Sequence, residues 1–140
     1  MNRIAIEQGF SDLGSPRELF PDFQFTSVNV DMAWASAHRE AVLAFLRAYI
    51  AAHHWLRANK EASRVVAATE ADLSAEHADF AWDEMVAAEI FPPDGRVGVP
   101  AVQALIDVSS LIRALPGRAK LRAESYIDPS FIDEAERTMA

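Results

Sequence analysis

The chain has 140 residues, of which 51% are hydrophobic and 24% charged, and these values predict one soluble globular domain rather than a disordered segment. Its formal net charge of −8, with 13 basic residues scattered among 21 acidic ones, argues against a nucleic-acid partner, because phosphate binding needs clustered Lys and Arg. The sequence contains no Cys, which excludes disulfides, thiolate nucleophiles and Cys-based metal sites.

The amino-terminal sequence does not have the pattern of a targeting segment. Residues 1–8 meet a charge after two or three apolar residues, whereas a secretory signal needs an apolar run of about 7–15. The longest helical segment is interrupted by Arg47, His53 and His54, so it falls short of the roughly 18 apolar residues of a membrane span. The sequence as written therefore predicts no membrane span and a cytoplasmic location.

The first 31 residues predict a short helix, a loop and a strand. The helix is expected over residues 2–10 and ends at Gly9. Residues 10–22 are punctuated by Gly and Pro, which is typical of a loop. Residues 23–31 include an alternation of apolar and polar side chains, and this period of two predicts a strand.

A long amphipathic helix follows the predicted strand. Its start is expected between Ser36 and His38, either of which could cap it, and Asn59 permits a break at its end. Apolar residues recur there every three or four positions, as on one face of a helix. The predicted inward face consists of Val42, Phe45, Leu46, Tyr49, His53 and Leu56.

The rest of the chain predicts further helices. One is expected from about Lys60 to Thr69, a second after the Ser74 cap, a third with Pro100 in its first turn, and a last one after Asp128 and Pro129. The fold class is therefore mostly α, with one or two strands followed by about four or five helices, in a single domain over residues 1–140. The predicted inward residues of these helices include Ala78, Trp82, Met85, Val86, Val102, Leu105, Ile106, Ile112, Phe131, Ile132 and Ala135.

Four segments, in order, resemble the carboxyl-terminal part of the substrate-binding proteins of nitrate, sulfonate and taurine-type ABC transporters. The first two are residues 38–48, with a Glu in the first turn and a Phe-Leu-Arg-Ala core, and residues 58–62, where Asn59 precedes a Glu-Ala pair. The other two are residues 98–107, after a glycine-containing turn, and residues 126–132, which read Tyr-Ile-Asp-Pro-Ser-Phe-Ile. Relatives of this family act in thiamine-pyrimidine synthesis.

This resemblance implies a fragment of an α/β protein with the type 2 periplasmic-binding-protein fold, in which two lobes hold a ligand between them. Residues 1–22 would end the second lobe, residues 23–31 would form a crossing strand, and residues 32–140 would form the helical layer of the first lobe. It also implies a solute-binding component, or a truncated remnant of one, of an ABC importer for a small organic molecule or oxyanion. Such a protein is not an enzyme, needs no cofactor, works outside the cytoplasm and delivers its ligand to a permease.

The candidate ligand-binding residues are Thr26, Ser27 and Asn29. They are the polar residues of the predicted crossing strand, where the resemblance places the ligand cleft, although ordinary strand alternation explains them too. No catalytic residue and no metal ligand is predicted. Two adjacent imidazoles, His53 and His54, would diverge by about 100° on a helix instead of converging on a metal.

A second interpretation is a helical protein–protein interaction module that has lost ligand binding. In the resembled proteins the helices cover a sheet that is built by residues upstream of those in this sequence. The apolar helix faces would therefore need another cover, since burying apolar surface contributes about 25 cal/mol per Å². Self-association, as a homodimer or a higher oligomer, is the expected way to provide it.

Overall fold

The computed structural model describes residues 2–14, 18, 21–22, 26–87, 90–112, 114 and 121–139. Helix accounts for 66% of these residues and none of them is in a strand, which confirms the mostly-α prediction. Within this part of the chain, no helix is both long enough and apolar enough to cross a membrane. The α-helices are α1 (Asn2–Glu7), α2 (Met32–Ala37), α3 (Arg39–Ala58), α4 (Lys60–Glu70), α5 (Ala75–Trp82), α6 (Val99–Leu111) and α7 (Ser130–Arg137), with a π-helical turn at Asp83–Ala87 and a 3-10 turn at Ala123–Ser125.

The predicted strand at residues 23–31 is not found where it can be checked. Residues 23–25 lie outside the described residues, and residues 26–31 adopt neither strand nor helix. An alternating sequence becomes a strand only when a neighbouring strand pairs with its backbone groups. Here Asp31 instead caps α2, a helix that the sequence did not predict: its side chain accepts a hydrogen bond of 2.8 Å from the Trp34 backbone N–H. The Trp34 side chain is 48% exposed.

The long helix is confirmed, but its predicted inward face is partly wrong. α3 begins directly after His38 and ends before Asn59, as expected. Phe45, placed inward by the sequence, is 50% exposed, whereas Leu43 and Ile50 are only 2% and 1% exposed. Leu43 and Ile50 are two helical turns apart and share a face. Tertiary packing therefore rotates the buried stripe away from Phe45 and toward these two residues.

One compact unit comprises Met1–Arg39 and Val97–Phe131. In it the Gln103 side chain joins α6 to the 3-10 turn, accepting a hydrogen bond of 3.0 Å from the Ala123 backbone N–H and donating one of 3.3 Å to the Leu121 carbonyl. The Arg39 guanidinium lies 4.4 Å from the centroid of the Phe131 ring. These contacts bury Ala123 and Phe131, so the predicted inward position of Phe131 is confirmed.

A second compact unit comprises Glu40–Arg96 and Ile132–Ala140. Its core is formed by Leu43, Ile50 and Ala135, with Leu46 and Ile132 packed against them. Side-chain hydrogen bonds to the carboxyl-terminal end of α3 position α4 and α5. Ser63 Oγ donates to the Leu56 carbonyl at 3.2 Å and Trp82 Nε1 donates to the same carbonyl at 3.1 Å. Two other α4 residues, Val65 and Val66, are exposed.

The last helix starts at the predicted place. The Asp128 carboxylate accepts a hydrogen bond of 2.9 Å from the Ser130 backbone N–H, which is the first residue of α7. Hydrogen bonds from the Ser130 hydroxyl and then from its backbone N–H lower the pKa of the Asp128 carboxyl. The aspartate therefore satisfies backbone donors at a helix start in its ionised form.

We expect Ser74→Ala to lower the free energy of unfolding by about 1 kcal/mol, because the Ser74 hydroxyl caps α5 by accepting a hydrogen bond from the His77 backbone N–H at 3.1 Å. Urea denaturation measures the difference. The matched control is Ser36→Ala, because Ser36 lies inside α2 and its hydroxyl bonds only to the Met32 carbonyl of the preceding turn. Equal losses in the two variants would contradict a capping role for Ser74.

Candidate functional site

The three predicted ligand-binding residues lie together on the exposed segment before α2. Thr26, Ser27 and Asn29 are all exposed. The Ser27 hydroxyl and the Asn29 side-chain amide contact each other, with Asn29 Nδ2 3.3 Å from Ser27 Oγ and 3.4 Å from the Ser27 carbonyl. At these distances the hydrogen bonds are long, so both side chains can exchange them for a ligand. All three residues are exposed and therefore unenclosed.

An aromatic row runs along α3 and onto the following loop. The row, defined as Phe45, Tyr49, His53 and Phe91, has successive ring centroids 6.0, 4.5 and 6.3 Å apart. His53 Nδ1 lies 3.1 Å from the Pro92 carbonyl, and since a carbonyl can only accept, Nδ1 carries the proton. This imidazole therefore holds the loop against the helix and does not converge with His54 on a metal.

Gly95 allows this loop to pack closely against α3. Its φ of +68° lies in the left-handed region that favours glycine. A Cβ at this position would overlap the Tyr49 ring. Residues 91–95 adopt no helix and form a loop that packs on α3. The long-range contact with Tyr49 explains why the turn carries glycine.

Arg96 forms a charged cluster that the sequence analysis did not identify. Its guanidinium lies 3.2 Å from the Asp94 carboxylate, 2.7 Å from Asp133 and 2.5 Å from Glu136. The hydrogen bonds to Asp133 and then to Glu136 raise the pKa of Arg96. A carboxylate lies beside each of the three nitrogens of the guanidinium, so this arginine ties the loop to α7 and is not available to an anionic ligand.

A second charged cluster joins α4 to α5. The Asp79 carboxylate lies 3.1 Å from Arg64 Nε and 3.2 Å from Lys60 Nζ, and the Asp83 carboxylate lies 2.8 Å from Lys60 Nζ. Hydrogen bonds to Asp83 and then to Asp79 raise the pKa of Lys60, whose ammonium also lies 4.9 Å from the Trp82 ring centroid. The structure shows that cations from α4 pair with these aspartates.

A small open groove lies between α4 and α5. It has a volume of about 230 Å³ and is lined by Glu61, Arg64, Val65, Ala68, Thr69 and Ala75. Pockets that enclose drug-sized ligands have volumes of about 300–1,000 Å³. Among the residues that the structure describes, no three His, Asp or Glu side chains are grouped so as to hold a metal ion. The groove and both charged clusters thus serve the packing of neighbouring elements.

Comparison with known proteins returns no relative from which a function could be transferred. No family model, no curated protein and no solved structure matches this chain. A function assigned to the chain therefore rests on its own residues and on the geometry just described.

Proposed function

We propose that this chain is part of the solute-binding component of an ABC importer and contributes to capture of a small organic molecule or oxyanion without catalysing a reaction. In this proposal Thr26, Ser27 and Asn29 contact the ligand, the partner is a membrane permease, and the site of action is outside the cytoplasm. Small polar side chains of this kind bind by hydrogen bonding alone and need no cofactor.

One observation supports the proposal: the four segments that resemble the transporter family lie at the starts of four helices of this chain. Residues 38–48 lead into α3 with Glu40 in its first turn, and residues 58–62 lead into α4 with Glu61 in its first turn. Gly98 precedes α6 with Pro100 in its first turn. Asp128 precedes α7. In the transporter family each of these four segments lies at the start of a helix. In this chain a helix also begins at each of them.

The second candidate is a helical protein–protein interaction module. It is favoured by the exposure of large apolar side chains on more than one helix, including Phe45 and Trp55 on α3 and Val65 on α4. Contiguous exposed apolar surface is typical of sites that bind another protein. This candidate needs no ligand site, so ligand measurements separate it from the first.

We expect residues 1–140 alone to bind nitrate, an alkanesulfonate or a pyrimidine no more tightly than about millimolar, because the candidate contacts are exposed and affinity depends on enclosure. The product of a longer reading frame should bind one of these ligands in the micromolar range. Reading the genomic DNA upstream of the Met1 codon identifies that frame, and titration calorimetry on both products measures the binding.

A matched pair of variants tests the candidate contacts in the longer product. Thr26→Ala should weaken binding about tenfold through a lost hydrogen bond, whereas Thr69→Ala, a change of another exposed threonine, on α4, should leave it unchanged. An in-frame stop with no coding sequence upstream, or equal affinities for the two variants, would count against the proposal. The stop would favour the interaction module, whereas equal affinities would remove Thr26 from the binding site.

A further inference from the structure

One face of α3 is apolar and exposed along the length of the helix. Between residues 41 and 58, every exposed position except His54 carries an Ala, Phe or Trp side chain. Phe45 is 50% exposed and Trp55 is 44% exposed. We call this surface the α3 outer face, defined as Ala41, Ala44, Phe45, Ala48, Ala51, Ala52, Trp55 and Ala58.

The charged residues of the same stretch are turned away from this face. Arg47 is partly buried and donates a hydrogen bond of 3.2 Å to the Thr138 hydroxyl. Arg57 is partly buried and donates to the Phe91 carbonyl at 2.5 Å. A helix at a protein surface normally directs its charged side chains toward water. Between residues 41 and 58 the charged side chains Arg47 and Arg57 contact the fold, while every exposed side chain except His54 is apolar. This stretch of α3 therefore has an exposed apolar side in addition to its buried one.

The size of the α3 outer face is that of a weak, transient interface. Phe45 and Trp55 together expose roughly 200 Å² of side chain, and the six alanines bring the face to the order of 400–500 Å², a size typical of interaction sites. Pairing two such faces buries about 900 Å², which is less than the roughly 1,000 Å² of a stable interface and within the range of weak ones. A weak dimer follows from this area.

The spacing of the face identifies a second copy of the chain as its occupant. Ala41, Ala44, Ala48, Ala51, Trp55 and Ala58 follow one another at alternating intervals of three and four residues, the heptad period of helices that pack side by side. If two copies pair antiparallel about a two-fold axis between residues 48 and 51, Trp55 of one copy meets Ala44 of the other. Ala48 then meets Ala51, and Ala41 meets Ala58. Each layer pairs either a large side chain with a small one or two small ones, which lets the helices approach to about 8 Å.

We propose that the α3 outer face mediates an antiparallel homodimer of this chain, with a dissociation constant of about 1–100 µM. The face carries no charged side chain in its centre, so the pairing is apolar, and its two-fold symmetry closes the assembly at two copies. The proposal does not depend on ligand capture, because the candidate ligand residues precede α2.

Sedimentation equilibrium from about 1 to 200 µM measures the dimer. The wild-type chain should shift from 15.4 kDa toward twice that mass with rising concentration. Ala48→Glu places two carboxylates near the two-fold axis and should raise the dissociation constant at least about 30-fold. The matched control Ala62→Glu adds the same charge at an exposed position on α4 and should leave the dissociation constant unchanged.

Cysteine cross-linking tests the antiparallel register without background, since the chain contains no Cys. A mixture of the Ala41→Cys and Ala58→Cys proteins should form a disulfide between the two variants under mild oxidation. The Ala41→Cys protein alone should not, because antiparallel pairing separates the two copies of residue 41 by about 25 Å along the helix. Both variants are surface substitutions of alanine, and their circular dichroism spectra should match the wild type.

Three results would overturn the proposal. A monomer at every concentration would show that a second copy does not cover this face. If Ala62→Glu weakened the dimer and Ala48→Glu did not, the interface would lie on α4 instead of α3. Efficient cross-linking of the Ala41→Cys protein to itself would replace the antiparallel register by a parallel one. None of these results bears on the ligand titrations, so failure of the dimer and failure of ligand capture remain distinguishable.

Discussion

Leu43→Ala should lower the free energy of unfolding by about 3–5 kcal/mol, the upper part of the range for leucine truncations in packed cores. Leu43 is 2% exposed and belongs to the core cluster with Ile50 and Ala135. Removing its isobutyl group leaves a cavity between α3 and α7, which the surrounding helices can close only in part. Urea denaturation monitored by circular dichroism gives the difference from the wild type.

The matched control is Leu111→Ala, the same chemical change at the last residue of α6, where the leucine is 80% exposed. Its effect should stay within about 0.5 kcal/mol. Phe45→Ala should fall between the two, because half of that side chain is in water. If Phe45→Ala destabilised the protein more than Leu43→Ala did, the inward face of α3 would be the one expected from the sequence rather than the one seen in the structure.

Gly95→Ala should destabilise the protein by about 2–4 kcal/mol through two separate effects. The left-handed backbone conformation contributes about 1 kcal/mol of strain with any other residue, and overlap of the new Cβ with the Tyr49 ring contributes a further 1–3 kcal/mol, a typical range for overpacking. The loop at residues 90–96 would have to lift from α3 to relieve the overlap. Thermal denaturation should show the loss as a lower midpoint.

Two other glycines and one double variant separate these effects. Gly9 has a φ of +89° and no described atom within 4 Å of a built Cβ, so Gly9→Ala should show only the conformational part, about 1 kcal/mol. Gly98 has a φ of −83° and its nearest neighbour lies at 3.8 Å, so Gly98→Ala should be nearly neutral. In a Tyr49→Ala background the effect of Gly95→Ala should also fall to about 1 kcal/mol. A full effect in that background would exclude Tyr49 as the cause.

The sequence alone determined where most helices begin and where the first one ends. Ser74, Gly98 with Pro100, Asp128 and Gly9 mark helix boundaries that the structure reproduces. These positions could be read locally because capping hydrogen bonds, the fixed φ of proline and the left-handed freedom of glycine act within one or two turns of the chain. The candidate ligand residues were chosen by resemblance and remain a prediction.

The tertiary structure decided which faces are buried and which charges pair. α3 is apolar on two sides, so the 3.6-residue period of its apolar residues is compatible with two inward faces. One face would include Phe45, and the other includes Leu43 and Ile50. Contact with α7 buries the face with Leu43 and Ile50. Arg96 pairs with residues 37 and 40 positions away along the chain, and no local pattern specifies such a contact. The run at residues 26–31 adopts no strand because strand formation depends on a pairing partner, whereas a helix satisfies its own backbone hydrogen bonds within the segment.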